Sequence, residues 1–249
     1  MQRMFRKLLV LAGLTVGVTA SVHAVRAADD FTPEKGYTSL FNGKDLTGWR
    51  YLGSKESLAS KTETPDKRIQ VVDGIIVCNE KDSQGKGGIQ QLFTVKDYDK
   101  PFHLKLQFRA SLKSDSGVYL RASSAQLQVR DYPRFGGQYS QVPGFKLDDW
   151  NDLDITVGGK ETRLTVNGKQ LMDKDEFELT VKNGKPSAKL NGKEIDVTAY
   201  QFGDVAYALC KNNGEVLEKA FPIPLKGGIG LQAETGKFEF RRIRVKELR

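Results

Sequence analysis

The sequence predicts an all-β protein, a sandwich or barrel of short strands, and three observations carry that expectation. Apolar residues recur at period two over several stretches, the pattern of half-buried strands. Asn-Gly and Asp-Gly dipeptides, which tolerate the positive φ of tight hairpin turns, punctuate those stretches. No segment of useful length holds an amphipathic helical period.

Taken in order, the chain opens on a leader. Arg3, Arg6 and Lys7 precede an apolar run from Leu8 to Ala20, and Val25-Arg26-Ala27 offers small residues where a signal peptidase reads. This is the layout of a secretory signal peptide, residues 1–27, with Ala24 as a second cleavage position. The run is shorter than the ~20 residues that cross a bilayer, and it holds no Cys for lipid attachment. The expectation is export to the periplasm or the extracellular space, as a mature chain of residues 28–249 that does not span the membrane.

Segment 53–68 is polar and reads as a surface loop. Asp73-Gly74 then joins Val71-Val72 to Ile75-Ile76 as a hairpin. Phe102, Leu104, Leu106, Phe108 and Ala110 alternate with His103, Lys105, Gln107 and Arg109. Leu153, Ile155 and Val157 repeat that pattern, as do Leu164 and Val166 before Asn167-Gly168. Segment 182–224 is less regular and reads as an excursion. Gly227 to Leu231 returns to the core. In the last strand Phe238 and Phe240 hold one phase and Ile243 and Val245 the other, so a β-bulge is expected at Arg241-Arg242. No linker separates these segments, and one domain over 28–249 is expected.

Charge excludes one class of function. The chain carries 39 basic and 31 acidic residues, a net +8. The leader holds four of the basic residues and none of the acidic ones, so the mature chain carries +4. Those charges are interspersed, whereas a nucleic-acid partner calls for a concentrated basic face. Cys78 and Cys210 could form one bridge in an oxidising compartment, or stay as two buried thiols. His23 lies in the leader, which leaves His103 as the sole histidine of the mature chain. A multi-histidine metal site is therefore excluded. No cofactor is predicted; a divalent metal held by Asp, Glu and one His remains open and is not indicated.

Tyr37 to Trp49 reads Tyr-Thr-Ser-Leu-Phe-Asn-Gly-Lys-Asp-Leu-Thr-Gly-Trp. Further on come Gly117-Val118-Tyr119-Leu120-Arg121, Gln126 to Asp131, Trp150-Asn151 and Asn167-Gly168-Lys169. The chain closes on Gly228-Ile229-Gly230-Leu231-Gln232 and Phe238 to Val245. In these motifs, spread over most of the mature chain, it resembles the 3-keto-disaccharide hydrolase-type domain family. The resemblance implies a concanavalin A-like jelly roll, a sandwich of two antiparallel sheets with a sugar-facing surface. It also implies a carbohydrate ligand and activity on glycosides oxidised at carbon 3.

A ketone at carbon 3 acidifies the proton on carbon 2. Its removal expels the oxygen on carbon 1, and water then adds back. Such a site needs a base, stabilisation of the enolate charge and a donor for the leaving oxygen. Asp131, at the position of the family's Asp, is the candidate base, set against a role as a turn residue. Arg121 is the candidate for stabilising charge, set against a structural ion pair. Period two places Arg121 and Tyr119 on one face. Gln126, Gln128 and Arg130 share a face of the next strand. With Tyr139 in the Gly-rich segment 131–144, and with His103, they are the candidate sugar contacts. Tyr132 and Phe135 lie in the same segment. Trp49 and Trp150 are expected in the core.

The chain departs from the family at Gln126, where the pattern has Glu. Glutamine keeps the hydrogen bonds of Glu and cannot exchange a proton at neutral pH. Two principal readings follow, an exported hydrolase or lyase of 3-keto-glycosides and a lectin-like binding module that has lost its chemistry. A structural domain of a surface assembly is the third. The oligomeric state is not legible in the sequence.

Overall fold

A computed structural model describes residues 31–131, 139–171, 174–182 and 185–248. Residues 1–30, which contain the segment expected to be a leader, and residues 132–138, which include Tyr132 and Phe135, lie outside that range, as does the Asn-Gly pair at 183–184. In chain order the strands are β1 (Thr38–Ser39), β2 (Trp49–Tyr51), β3 (Ile69–Val72), β4 (Ile75–Cys78), β5 (Gln90–Thr94) and β6 (Phe102–Ala110). There follow β7 (Asp115–Leu120), β8 (Gln126–Arg130), β9 (Asn151–Val166), β10 (Lys169–Gln170), β11 (Phe177–Lys182) and β12 (Lys185–Leu190). The last are β13 (Lys193–Ile195), β14 (Tyr200–Asn212), β15 (Glu215–Ile223), β16 (Ile229–Ala233) and β17 (Phe238–Glu247).

Two antiparallel sheets make a jelly-roll sandwich. The larger runs β15-β14-β9-β6-β17-β4-β3, with β1 added to β17 and β10 to β9. The smaller runs β2-β5-β16-β7-β8. Alternation in the sequence becomes alternation in burial: along β6 every apolar residue is buried and every polar one half-buried. Phe102, Leu104, Leu106 and Phe108 meet Val118, Leu120, Leu127, Ile229 and Leu231 of the smaller sheet in one core. Trp49 is fully buried and donates its indole N–H to the Leu40 carbonyl at 2.8 Å. Trp150, by contrast, is half-buried on the outer surface, with Arg241 3.8 Å and Arg109 4.8 Å from its ring centre.

The turn chemistry is local and mostly as expected. Asp73-Gly74, Asn167-Gly168, Asn191-Gly192 and Asn213-Gly214 each have φ positive at both residues, the geometry of type I′ hairpins. Asn42-Gly43 differs, because Asn42 Oδ1 accepts the amides of Lys44 and Asp45 instead, an Asx turn. The bulge expected at 241–242 is present: Arg242 has φ 52° and the pairing with β6 shifts between Arg241 and Arg244. The excursion expected over 182–224 is smaller and earlier. Only β11, β12 and β13 form a separate three-stranded sheet, whereas β14 and β15 belong to the large sheet.

The cysteines are free and buried. Cys78 on β4 and Cys210 on β14 lie in one sheet with β17, β6 and β9 between them. At about 4.8 Å per strand that puts them ~19 Å apart, far beyond bridging reach. Burial pushes each thiol up to about 12. We expect neither to react with a thiol reagent at neutral pH in the native protein, and both to react in denaturant. A fast-reacting native thiol would contradict this packing.

Candidate functional site

The outer face of the five-stranded sheet gathers four of the eight candidate side chains that the sequence points to, Tyr119, Gln126, Gln128 and Arg130. In register, Asp115, Gly117 and Tyr119 of β7 stand opposite Arg130, Gln128 and Gln126 of β8. On the other side, Gly230 of β16 stands opposite both Tyr119 and Phe93 of β5, and Gln232 stands opposite Gln91. Successive residues of a strand point to opposite faces, so these side chains share the side of the sheet away from the core, where Gln128 is exposed, Gln91, Gln126 and Arg130 are half-buried, and Asp115, Tyr119, Phe93 and Gln232 are buried.

Two glycines let side chains lie flat on that surface. A Cβ at Gly117 would sit 2.7 Å from Gln126 Nε2 and 2.4 Å from the Leu127 carbonyl oxygen. A Cβ at Gly230 would sit 2.8 Å from the Phe93 ring. Gln126 therefore lies across β7, and the Phe93 ring lies over β16 and stacks on Tyr119 at 5.4 Å.

The amides form a directed chain. Gln128 Nε2 donates to Gln126 Oε1 at 3.1 Å, Gln126 Nε2 to Gln232 Oε1 at 2.5 Å, and Gln232 Nε2 to the Glu234 carboxylate at 2.9 Å. Such a chain polarises along its length toward the negative end. An amide NH₂ has two hydrogens and its carbonyl two lone pairs, so each link keeps hydrogen-bonding capacity beyond the chain. Tyr119 Oη accepts from Gln91 Nε2 at 2.7 Å. Burial pushes the phenol up to about 12, with the charges of Glu234 and Asp115 adding to the rise. Tyr119 thus stays neutral and keeps its own O–H to donate. Planar amides, a phenol, a flat aromatic ring and two carboxylates suit a polyhydroxylated ring as ligand.

Four candidates read from the sequence fall elsewhere. Arg121 does not share the face of Tyr119. β7 ends at Leu120, and Arg121 turns into the left-handed region at φ 67°, which breaks the period-two register. Its guanidinium donates to the carbonyls of Pro224 at 3.1 Å and Lys100 at 2.6 Å, in a buried position beside the Phe102 ring. Asp131 follows the end of β8, where its Oδ2 accepts the Lys113 amide at 3.1 Å.

Tyr139 lies in the core rather than in a groove wall. Its ring stacks on Phe145 at 4.1 Å, and its hydroxyl donates to the Ser111 carbonyl at 2.7 Å. His103 is on the other sheet altogether. There its Nδ1 meets the Tyr37 hydroxyl at 2.6 Å and its Nε2 meets Asp154 Oδ1 at 2.5 Å.

Gln91, Gln232 and Glu234 are the site residues that sequence reasoning missed. The signal was present: Gln91-Leu92-Phe93 and Gly230-Leu231-Gln232 alternate just as Gln126-Leu127-Gln128 does. Among the described residues no group of three or more His, Cys, Asp and Glu could hold a metal ion.

The sequence profile of the 3-keto-alpha-glucoside-1,2-lyase-like domain matches residues 36–246. A Parabacteroides distasonis protein crystallised as a candidate glycosyl hydrolase is 21% identical, with 86% of this chain and 94% of that one aligned and a TM-score of 0.42. The Bacillus licheniformis β-glucanase aligns over 85% of this chain and 97% of its own at 11% identity, with a TM-score of 0.38. The Bacillus subtilis carbohydrate-binding module CBM66 aligns over 81% and 97% at 9% identity, with a TM-score of 0.33. No curated protein matches the chain.

Proposed function

The chain belongs to the 3-keto-alpha-glucoside-1,2-lyase-like domain family, and from that premise we propose that it binds 3-keto-glycosides on the outer face of its five-stranded sheet and cleaves them there. The observation that carries the reading is the amide chain from Gln128 through Gln126 and Gln232 to Glu234, beside the neutral Tyr119. It offers planar donors and acceptors to sugar hydroxyls and ends on a carboxylate.

Gln126 cannot serve as acid or base, so the proton chemistry falls to the carboxylates of the same face, Glu234 and Asp115. In this reading one of them takes the carbon 2 proton. The electron pair passes into the carbon 1–carbon 2 bond and the glycosidic oxygen leaves carbon 1. Tyr119, neutral at physiological pH, gives that oxygen a proton; water then adds at carbon 1 and returns its proton to Tyr119, while the carboxyl gives its proton back to carbon 2. The leader supports a site of action outside the cytoplasm, and residues 28–249 would act as one domain.

The test is sugar release from a 3-keto-disaccharide by wild type and Glu234→Gln, each with and without a divalent metal. Loss of a general base is expected to lower kcat by about 100-fold or more, with binding measured by calorimetry nearly unchanged. The Gln126 departure favours a second reading, a binding module without catalysis. Saturable binding with no turnover under any condition would establish that module. Absence of both binding and turnover would overturn the whole assignment.

A further inference from the structure

A sheet edge is a row of N–H and C=O groups that another strand can take up. Several edges of this protein are blunted. The Trp49 carbonyl on β2 accepts the Leu58 amide at 2.9 Å. On β3, Val71 donates to the Thr62 carbonyl at 2.7 Å and the Ile69 carbonyl accepts the Thr64 amide at 2.9 Å. β13 is three residues long, with Lys193 and Glu194 exposed. β15 carries Pro222, and its pairing with β14 shifts register twice.

β11 is twice as long as β13, carries no proline and pairs with β12 without a register shift. It pairs with β12 on one side only and is the end strand of its sheet. Its six residues read Phe-Glu-Leu-Thr-Val-Lys, without proline. Leu179 is 45% exposed and Val181 62%, more than core-type residues on an ordered strand usually are. The ladder phase is fixed by the Asn191 amide, which donates to the Glu176 carbonyl at 2.8 Å. In an antiparallel pair the bonding positions alternate. Residues 176, 178 and 180 therefore face β12, and the backbone groups of Phe177, Leu179 and Val181 point to the open edge.

We propose that this edge is the interface for a second copy of the chain, two β11 strands pairing antiparallel about Thr180. That register is self-complementary, as a twofold contact must be. Leu179 of each copy stands opposite Val181 of the other, both with outward-pointing backbone groups. Glu178 of each stands in register with position 182 of the other, a lysine in the sequence. The two three-stranded sheets become one of six strands, a case of strand addition at an edge. A shift by one residue would set Glu178 against Val181 and lose both matches.

Sedimentation equilibrium of the purified protein tests this, with Val181→Pro as the first variant. The Val181 N–H points away from β12, so proline there spares the hairpin ladder and blocks only the edge. Wild type is expected to sediment at twice the monomer mass at about 100 μM. Val181→Pro is expected to weaken association at least about tenfold, with unchanged far-UV circular dichroism. Glu178→Lys should weaken it as well, and adding Lys182→Glu should restore it, a pair of changes that leaves the strand's apolar face intact. A monomeric wild type, a dimer indifferent to Val181→Pro, or a charge swap that fails to restore association would overturn the proposal.

Discussion

Replacing Gly227 by alanine is expected to cost about 3 kcal/mol or more of stability, a fall in Tm of roughly 6–12 °C for a domain of this size. The methyl has nowhere to go. A Cβ at Gly227 would lie 1.8 Å from the carbonyl oxygen of Arg121, and φ there is 151°, a conformation that L side chains rarely adopt. The neighbouring backbone is fixed on both sides. Gly227 donates to and accepts from Tyr98, and Arg121 donates its amide to the Gly228 carbonyl at 2.8 Å. Relief of the clash must therefore disturb the junction of β7 and β16, in the sheet that carries the candidate site. Calorimetry of Gly227→Ala beside Gly48→Ala separates the two causes. Gly48 has φ 91° and no atom within 4 Å of its Cβ, so it reports backbone strain alone. Equal losses at the two positions would show that the close approach to Arg121 counts for nothing.

Arg68→Met is expected to cost about 3–5 kcal/mol, since three carbonyls lose a charged donor and each unsatisfied group costs about 1–3 kcal/mol. Arg68 is only 2% exposed. Its Nε donates to the Asn79 carbonyl, and its Nη2 donates to the carbonyls of Gly88 and Glu234 at 2.6 Å each. Methionine fills much of the volume and leaves three carbonyls without that donor, each carrying its own desolvation cost. The Glu234 bond makes the effect reach the candidate site, since Arg68 holds the backbone of the residue whose carboxylate ends the amide chain. Arg68→Lys is expected to lie between the two, because an ammonium lacks the planar fork that serves three carbonyls at once. Denaturant unfolding of the three proteins measures the order. A methionine variant as stable as wild type would mean that these bonds contribute no net stability.

The period-two runs gave the strands, and the Asn-Gly and Asp-Gly dipeptides gave four hairpins and their backbone geometry. The phase change after Phe240 is the signature of the bulge at Arg242. Each of these follows from residues within a few positions of one another, because strand alternation and positive φ are properties of short segments. The family motifs between Tyr37 and Val245 gave the jelly roll.

The candidate site was half legible. Tyr119, Gln126, Gln128 and Arg130 lie where alternation places them. Arg121 sits one step beyond the end of β7, and its left-handed turn cancels the alternation that assigned it to their face. His103 alternates in β6 as expected, yet alternation names a face of a strand and not the sheet to which the strand belongs. Gln232 and Glu234 reach Gln126 only through the pairing of β16 with β7, across more than a hundred residues of sequence. The sequence by itself determined the strand class, the turns and the family. The tertiary structure alone decided which polar faces meet, because sheet order is set by contacts between segments that no local pattern encodes.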